Sequence, residues 1–208
     1  MIHVLITVKP STRYPGKNAR LAGYTVAWLA WEILHMEEAV KVYTVGARQE
    51  LPRDLPPGWQ HIECSTGSHQ GDIEHAEERI MTAPGDVMIL AQFTQPMRRR
   101  GLLADVAGMA RLHGCAVTGC QSRREDWRAL TDTGAWAAHK GGRTVLHDGA
   151  LYGWQPGQVG KIFDAAAEHG VVVNYAGQPV DVDMPADVPH ALPGAFAELL
   201  VGNYGLNP

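Results

Sequence analysis

Long hydrophobic runs are missing from this sequence. The most apolar stretch, Val26 to Trp31, spans six residues before Glu32 interrupts it, against the ~20 that a membrane helix requires. It reads as part of a buried helix. Cysteine is scarce, and three residues cannot build a disulfide framework, which points to a reducing cytoplasm. Cys115 and Cys120 fall five apart on an expected strand, so their side chains point to opposite faces and cannot pair. No strong excess of one charge exists either. The net charge is -4 and the basic residues are dispersed apart from Arg98 to Arg100, which excludes the footprint of a nucleic-acid binder and leaves a small anionic ligand open. The ten histidines lack metal-ligand spacing, and no Ser, Cys or Lys stands in a nucleophile motif. Met1 runs directly into an apolar segment without a charged leader, so no secretory signal is expected. Repeats, low-complexity tracts and linkers are also absent, and 208 residues suffice for one domain with its own core.

What is present is an alternation of apolar strands and helices. Ile2 to Val8 is a nearly continuous apolar run of the kind buried on both faces of a parallel sheet, and Ala22 to Glu38 follows as a helix. Val40 to Gly46 and Gln60 to Cys64 are the next strands, separated by a proline-bearing surface loop. Ile73 to Thr82 reads as a short helix with Asp72 as its N-cap, closed by Pro84-Gly85 before a strand over Asp86 to Phe93. A helix over Arg99 to His113 and a strand over Cys115 to Ser122 complete the pattern of a doubly wound, mostly parallel sheet. From Ser122 to His147, short Trp-bearing runs broken by glycines predict a small antiparallel excursion able to cover a site or reach a neighbouring subunit. A helix over Gly157 to His169, a strand over Val171 to Gly177 and a last helix from about Pro185 finish a single domain over 1–208.

Lys9, Arg13 and Lys17 place three cations within nine residues of one loop, and Pro15-Gly16 force a tight turn that lets backbone approach a ligand. A loop between a strand and a helix is where α/β proteins hold phosphates, and a polyphosphate suits this one. Asp181 and Asp183 stand two apart, so in an extended segment both carboxylates project to one side and can share a cation. Mg²⁺ favours such oxygen ligands together with substrate phosphate, although a turn with two solvated acids would give the same pattern. Asn18 offers a donor and an acceptor to a base edge, or caps the turn. Gln92 lies at the carboxyl end of a strand, the edge of an open sheet where ligands gather. Arg98 to Arg100 at a helix start call for an anionic neighbour. The alternation around Tyr152 places it on one face with Ala150, which packing explains.

Four segments in order resemble the acylneuraminate cytidylyltransferases, the CMP-sialic acid synthetase-like family of sugar nucleotidyltransferases. Pro15-Gly16-Lys17-Asn18 matches its Pro-x-Lys-Asn segment, LAQFTQPMR at Leu90 to Arg98 is similar to its LLQPTSPLR, HDGALYGW at His147 to Trp154 to its NGAIYI, and PVDVDMPAD at Pro179 to Asp187 to its SIDIDTPED. The resemblance implies a three-layer, Rossmann-like nucleotide-diphospho-sugar transferase fold and a cytoplasmic homodimer whose contact falls in 122–147. It implies transfer of CMP from CTP to a nonulosonic or related sugar acid, with release of pyrophosphate. Lys9, Arg13 and Lys17 would then serve catalysis by neutralising the triphosphate, Asn18 would touch cytosine, Gln92, Arg98 and Tyr152 would face the acceptor sugar, and Asp181 and Asp183 would bind Mg²⁺. The chain departs from the pattern in three places. Pro10 removes a backbone donor from the phosphate loop, Tyr43 to Gly46 lacks the family's Ser-Thr-Asp, and no base-contacting Arg stands near Ile62 to Thr66. Two rival readings follow: a glycosyltransferase using D-x-D, whose motif normally follows a central strand, and a non-enzymatic nucleotide-binding descendant.

Overall fold

Ile2–Val8 is buried at every position because parallel strands flank both its edges and helices cover both faces of the sheet it belongs to. It is β1 of a computed structural model that describes residues 1–53, 55–121, 137–140, 143–164, 167–174, 185–187 and 189. In chain order there follow α1 (Lys17–His35), β2 (Val40–Gly46), β3 (Gln60–Glu63), α2 (His69–Arg79), β4 (Val87–Ala91), α3 (Leu102–His113) and β5 (Cys115–Gln121). Then come β6 (Ala137–Lys140), β7 (Arg143–Trp154), α4 (Val159–Ile162) and β8 (Gly170–Val173), with a 3₁₀ turn at Pro185–Asp187. The sheet runs β3-β2-β1-β4-β7-β5-β8, with β6 beside β7. Strand order reverses between β1 and β4.

Alternation along β1 sorts two cores. Ile2, Val4, Ile6 and Val8 pack with Leu21, Trp28 and Leu29 of α1 and with Leu103, Val106 and Ala110 of α3. Leu5 faces the other way, toward Ile73 and Ala76 of α2 and Val159 and Ile162 of α4. The result is the three-layer, mostly parallel α/β arrangement, with the helices covering both faces of one sheet. Among the described residues no helix is long and apolar enough to cross a membrane. All three cysteines are free thiols.

Several elements differ from the sequence expectation. α1 begins at Lys17, five residues before Ala22, because Gly16 turns the chain in the left-handed region (φ 73°) directly into the helix. α2 begins at His69, and its N-cap is Ser68, whose hydroxyl accepts from Gly71 N; Asp72 is a buried first-turn residue instead. α3 begins at Leu102 after Gly101 (φ 70°), so Arg98 to Arg100 precede the helix. α4 covers only Val159–Ile162 of the helix expected over Gly157 to His169. The largest difference is β7, which runs antiparallel between β4 and β5 and so puts a reversed strand inside the sheet. β6 pairs antiparallel with β7 through Ala137↔Leu146 to Lys140↔Arg143. The rest of the expected 122–147 excursion, residues 122–136 and 141–142, lies outside the described residues, as does most of the last helix.

Candidate active site

The carboxyl ends of β1, β2 and β3 converge on one open edge. Gly46 permits the approach of β2 to β1 there: at φ 141°, an added Cβ would lie 2.2 Å from Val8 O. Between the β1 exit and the loop after β3 lies a cleft of about 200 Å³ lined by Val8, Lys9, Gly46, Cys64, Gly67 and Asp72, among others. Lys9 Nζ is 2.9 Å from Asp72 Oδ2. Oδ1 of Asp72 accepts from Thr66 N at 2.9 Å and Thr66 Oγ1 at 2.8 Å. Burial alone would raise this carboxyl's pKa, but the bonds from Lys9 and Thr66 outweigh it and hold the pKa below its ordinary value.

Beyond Lys9, the chain turns at Ser11, whose Oγ accepts from Tyr14 N, and buries the Tyr14 ring. Arg13 is exposed and Lys17 half-buried. α1 opens with Lys17 and has no acid in its first turn and no capping side chain. The helix dipole disfavours a cation there unless an anion joins it. Asn18 is buried and donates from Nδ2 to Lys9 O at 3.0 Å, which ties the first turn of α1 to the end of β1.

Across the reversal of strand order, the β4 exit is built on a buried guanidinium. Arg98, 1% exposed, donates to Ala150 O at 3.2 Å, to Thr25 Oγ1 at 3.0 Å and to Gln92 O, and stacks over Trp28 at 5.0 Å. It fixes the loop that carries Gln92 against α1 and β7. Gln92 is half-buried and its Oε1 accepts from Thr94 Oγ1 at 3.4 Å. Tyr152, on β7 opposite Leu90, meets His147 edge-on at 4.7 Å and lies 6.1 Å from Phe163. Burial lowers the His147 pKa to about 4, so this imidazole is neutral near pH 7.

The sequence reading missed a buried polar cluster beside these residues. Asp148 accepts from Thr118 Oγ1 at 2.5 Å, Ala150 N at 2.9 Å and Asn174 Nδ2 at 3.1 Å, and Asn174 Oδ1 accepts from Arg99 N at 3.1 Å. Its four parts come from β4–α3, β5, β7 and the end of β8, distant in sequence, so no local motif marks it. Lys9, Arg13, Lys17 and Asn18 thus share the β1 exit, while Gln92, Arg98 and Tyr152 group at β4 and β7. Asp181 and Asp183 lie outside the described residues. Among the described residues, no three His, Cys, Asp or Glu side chains are grouped to hold a metal.

No protein-family profile matches the chain, and no curated protein matches it. Solved structures share its fold. A CMP:2-keto-3-deoxy-manno-octonic acid synthetase complexed with CTP aligns with a TM-score of 0.61 at 13% identity, over 91% of this chain and 95% of that one. The 2-C-methyl-D-erythritol 4-phosphate cytidylyltransferase of Thermus thermophilus aligns at 0.53 and 18% identity, over 93% and 98%. A Mycobacterium tuberculosis protein in complex with manganese aligns at 0.57 and 12% identity, over 92% and 97%.

Proposed function

We propose that this protein is a cytidylyltransferase that moves CMP from CTP to a hydroxyl of a nonulosonic or related sugar acid and releases pyrophosphate. One observation carries the reading: a cation-bearing loop leaves β1 and opens α1 at the sheet edge where strand order reverses. The fold is shared along nearly the whole chain with a synthetase complexed with CTP, which supports the choice of nucleotide. In this reading the acceptor hydroxyl attacks the α-phosphorus in line. Arg13 and Lys17 neutralise charge that builds on the departing pyrophosphate, helped by the α1 amino terminus. Asn18 and Gly16 hold the loop in shape, and Gln92 and Tyr152 face the acceptor.

Asp181 and Asp183 would hold Mg²⁺, since hard carboxylate oxygens suit it, and manganese in a fold neighbour supports a divalent ion. Such an ion supplies charge neutralisation at the phosphate oxygens. The protein works as a homodimer, with the 122–147 segment, which includes the β6–β7 pair, reaching the partner subunit. Pyrophosphate release tests the assignment, with CTP and a panel of sugar acids as substrates. We expect release to need CTP, a divalent ion and one acceptor class. A folded protein that releases none with any nucleotide and acceptor would overturn it.

A further inference from the structure

The cleft that contains Lys9 carries no net positive charge. Lys9 is matched by the 3% exposed Asp72. Burial lowers the pKa of the neighbouring His69, with Lys9 adding to the effect, and burial raises the Cys64 thiol to about 11, so neither contributes charge near pH 7. A triphosphate gains little from a neutralised ammonium. A nucleobase, by contrast, needs a fixed acceptor beside a fixed donor between apolar walls, which Val8, Pro10, Gly46 and Ala47 help to supply.

We propose that the Lys9–Asp72 pair reads the base of the bound nucleotide, the carboxylate accepting from an exocyclic amine and the ammonium donating to the adjacent ring acceptor, so that cytosine is preferred to uracil. The inference rests on the nucleotidyl-transfer reading and deepens it. A carboxylate oxygen has two acceptor sites. Thr66 fills both on Oδ1, and Lys9 fills one on Oδ2, which leaves Oδ2 one site for an amine. Lys9 has three donors and spends one on Asp72. Uracil presents a carbonyl where cytosine has its amine, and an N–H where cytosine has its ring acceptor. Oxygen would then face oxygen and the ammonium would face a donor. At about 200 Å³ the cleft is smaller than the ~300–1,000 Å³ of sites that enclose a drug-sized ligand, which suits one base and leaves the phosphates to the rest of the β1–α1 loop.

Calorimetry on the full-length protein with CTP, UTP and inorganic triphosphate, for wild type, Asp72→Asn and Lys9→Met, tests this. Wild type should bind CTP at least about tenfold tighter than UTP. Asp72→Asn, whose amide can donate to the uracil carbonyl, should erase or invert that ratio while leaving inorganic triphosphate within about twofold. Lys9→Met changes a side chain that is 35% exposed, so it serves even if Asp72→Asn folds poorly. It should weaken CTP about tenfold and inorganic triphosphate hardly at all. An equal loss for both ligands in Lys9→Met would make Lys9 a phosphate-binding residue and overturn the proposal. An unchanged CTP-to-UTP ratio in both variants would make the pair structural, and overturn it too. Pyrophosphate release by wild type alongside either result would leave the transferase reading standing, whereas no binding of any nucleotide would remove both.

Discussion

At the scale of single residues, two buried carboxyls titrate in opposite senses. Asp86 is held at a pKa of about 2 by the Ala83 N–H first, against the cost of burial, with His3 and the Met1 amine adding to it. Its folded pKa lies below the unfolded one, so its contribution is present above the ordinary value of 3.8 and is lost as pH falls toward about 2. Linkage makes that contribution about 2 kcal/mol, and Asp86→Asn should flatten the acid limb of a urea-denaturation stability profile by that amount. Asp148 goes the other way, because burial raises its pKa despite bonds from Thr118, Ala150 and Asn174. The folded chain keeps the proton longer than the unfolded one, so stability falls as pH rises from the ordinary carboxylate range through the raised value. Asp148→Asn should remove that slope. Asp148→Ala should cost about 3 kcal/mol or more, since three donors lose their acceptor together. Lys17→Ala should raise the Kd for CTP about tenfold with little change in Tm, because a half-buried cation at the first position of α1, where the helix dipole disfavours it, adds little to folding.

At the scale of elements, the ends of helices and strands carry the constraints. Glu32 of α1 is 2% exposed and accepts from Gly101 N at 2.8 Å and Leu103 N at 2.9 Å, so α1 caps the start of α3. Glu32→Ala should lower the urea midpoint by an amount equal to about 1–3 kcal/mol, and Glu32→Gln by less. Gly46→Ala tests the close approach of β1 and β2. Its Cβ would press on Val8 O at a φ of 141°, which should cost at least about 2 kcal/mol and weaken nucleotide binding at the cleft beside it.

At the scale of the molecule, ligand and lattice of strands are coupled. The β1 exit, the β3–α2 loop and the α1 start come from three points on one sheet edge, so a nucleotide that bridges them binds only the folded chain. CTP at a hundred times its Kd should stabilise the protein by about 2.7 kcal/mol, seen as a rise in Tm that UTP produces more weakly at equal concentration. Asp183→Ala should keep the fold and the CTP-induced rise without the divalent ion, yet lose pyrophosphate release by orders of magnitude. Retained release would take Asp183 out of the mechanism. Light scattering should give twice the chain mass, and deletion of 122–136 should halve it.

Local pattern determined the strands and much of the wrapping. The apolar run Ile2–Val8 and the Pro15-Gly16 turn are short-range signals, and they located the first strand and the cation loop, because strand burial and tight turns depend on residues adjacent in the chain. Helix starts shifted by a few residues where a cap lay elsewhere, as Ser68 does for α2. Two things were beyond the sequence. The insertion of β7 between β4 and β5 is set by pairing with strands more than twenty residues away, and its alternation reads the same in any register. Partners of charged residues were also hidden: nothing in the sequence pairs Lys9 with Asp72, sixty-three positions on, until the fold brings the two to 2.9 Å. Charge in a sequence is a list, whereas its meaning at a site depends on distance and desolvation, which only tertiary structure supplies.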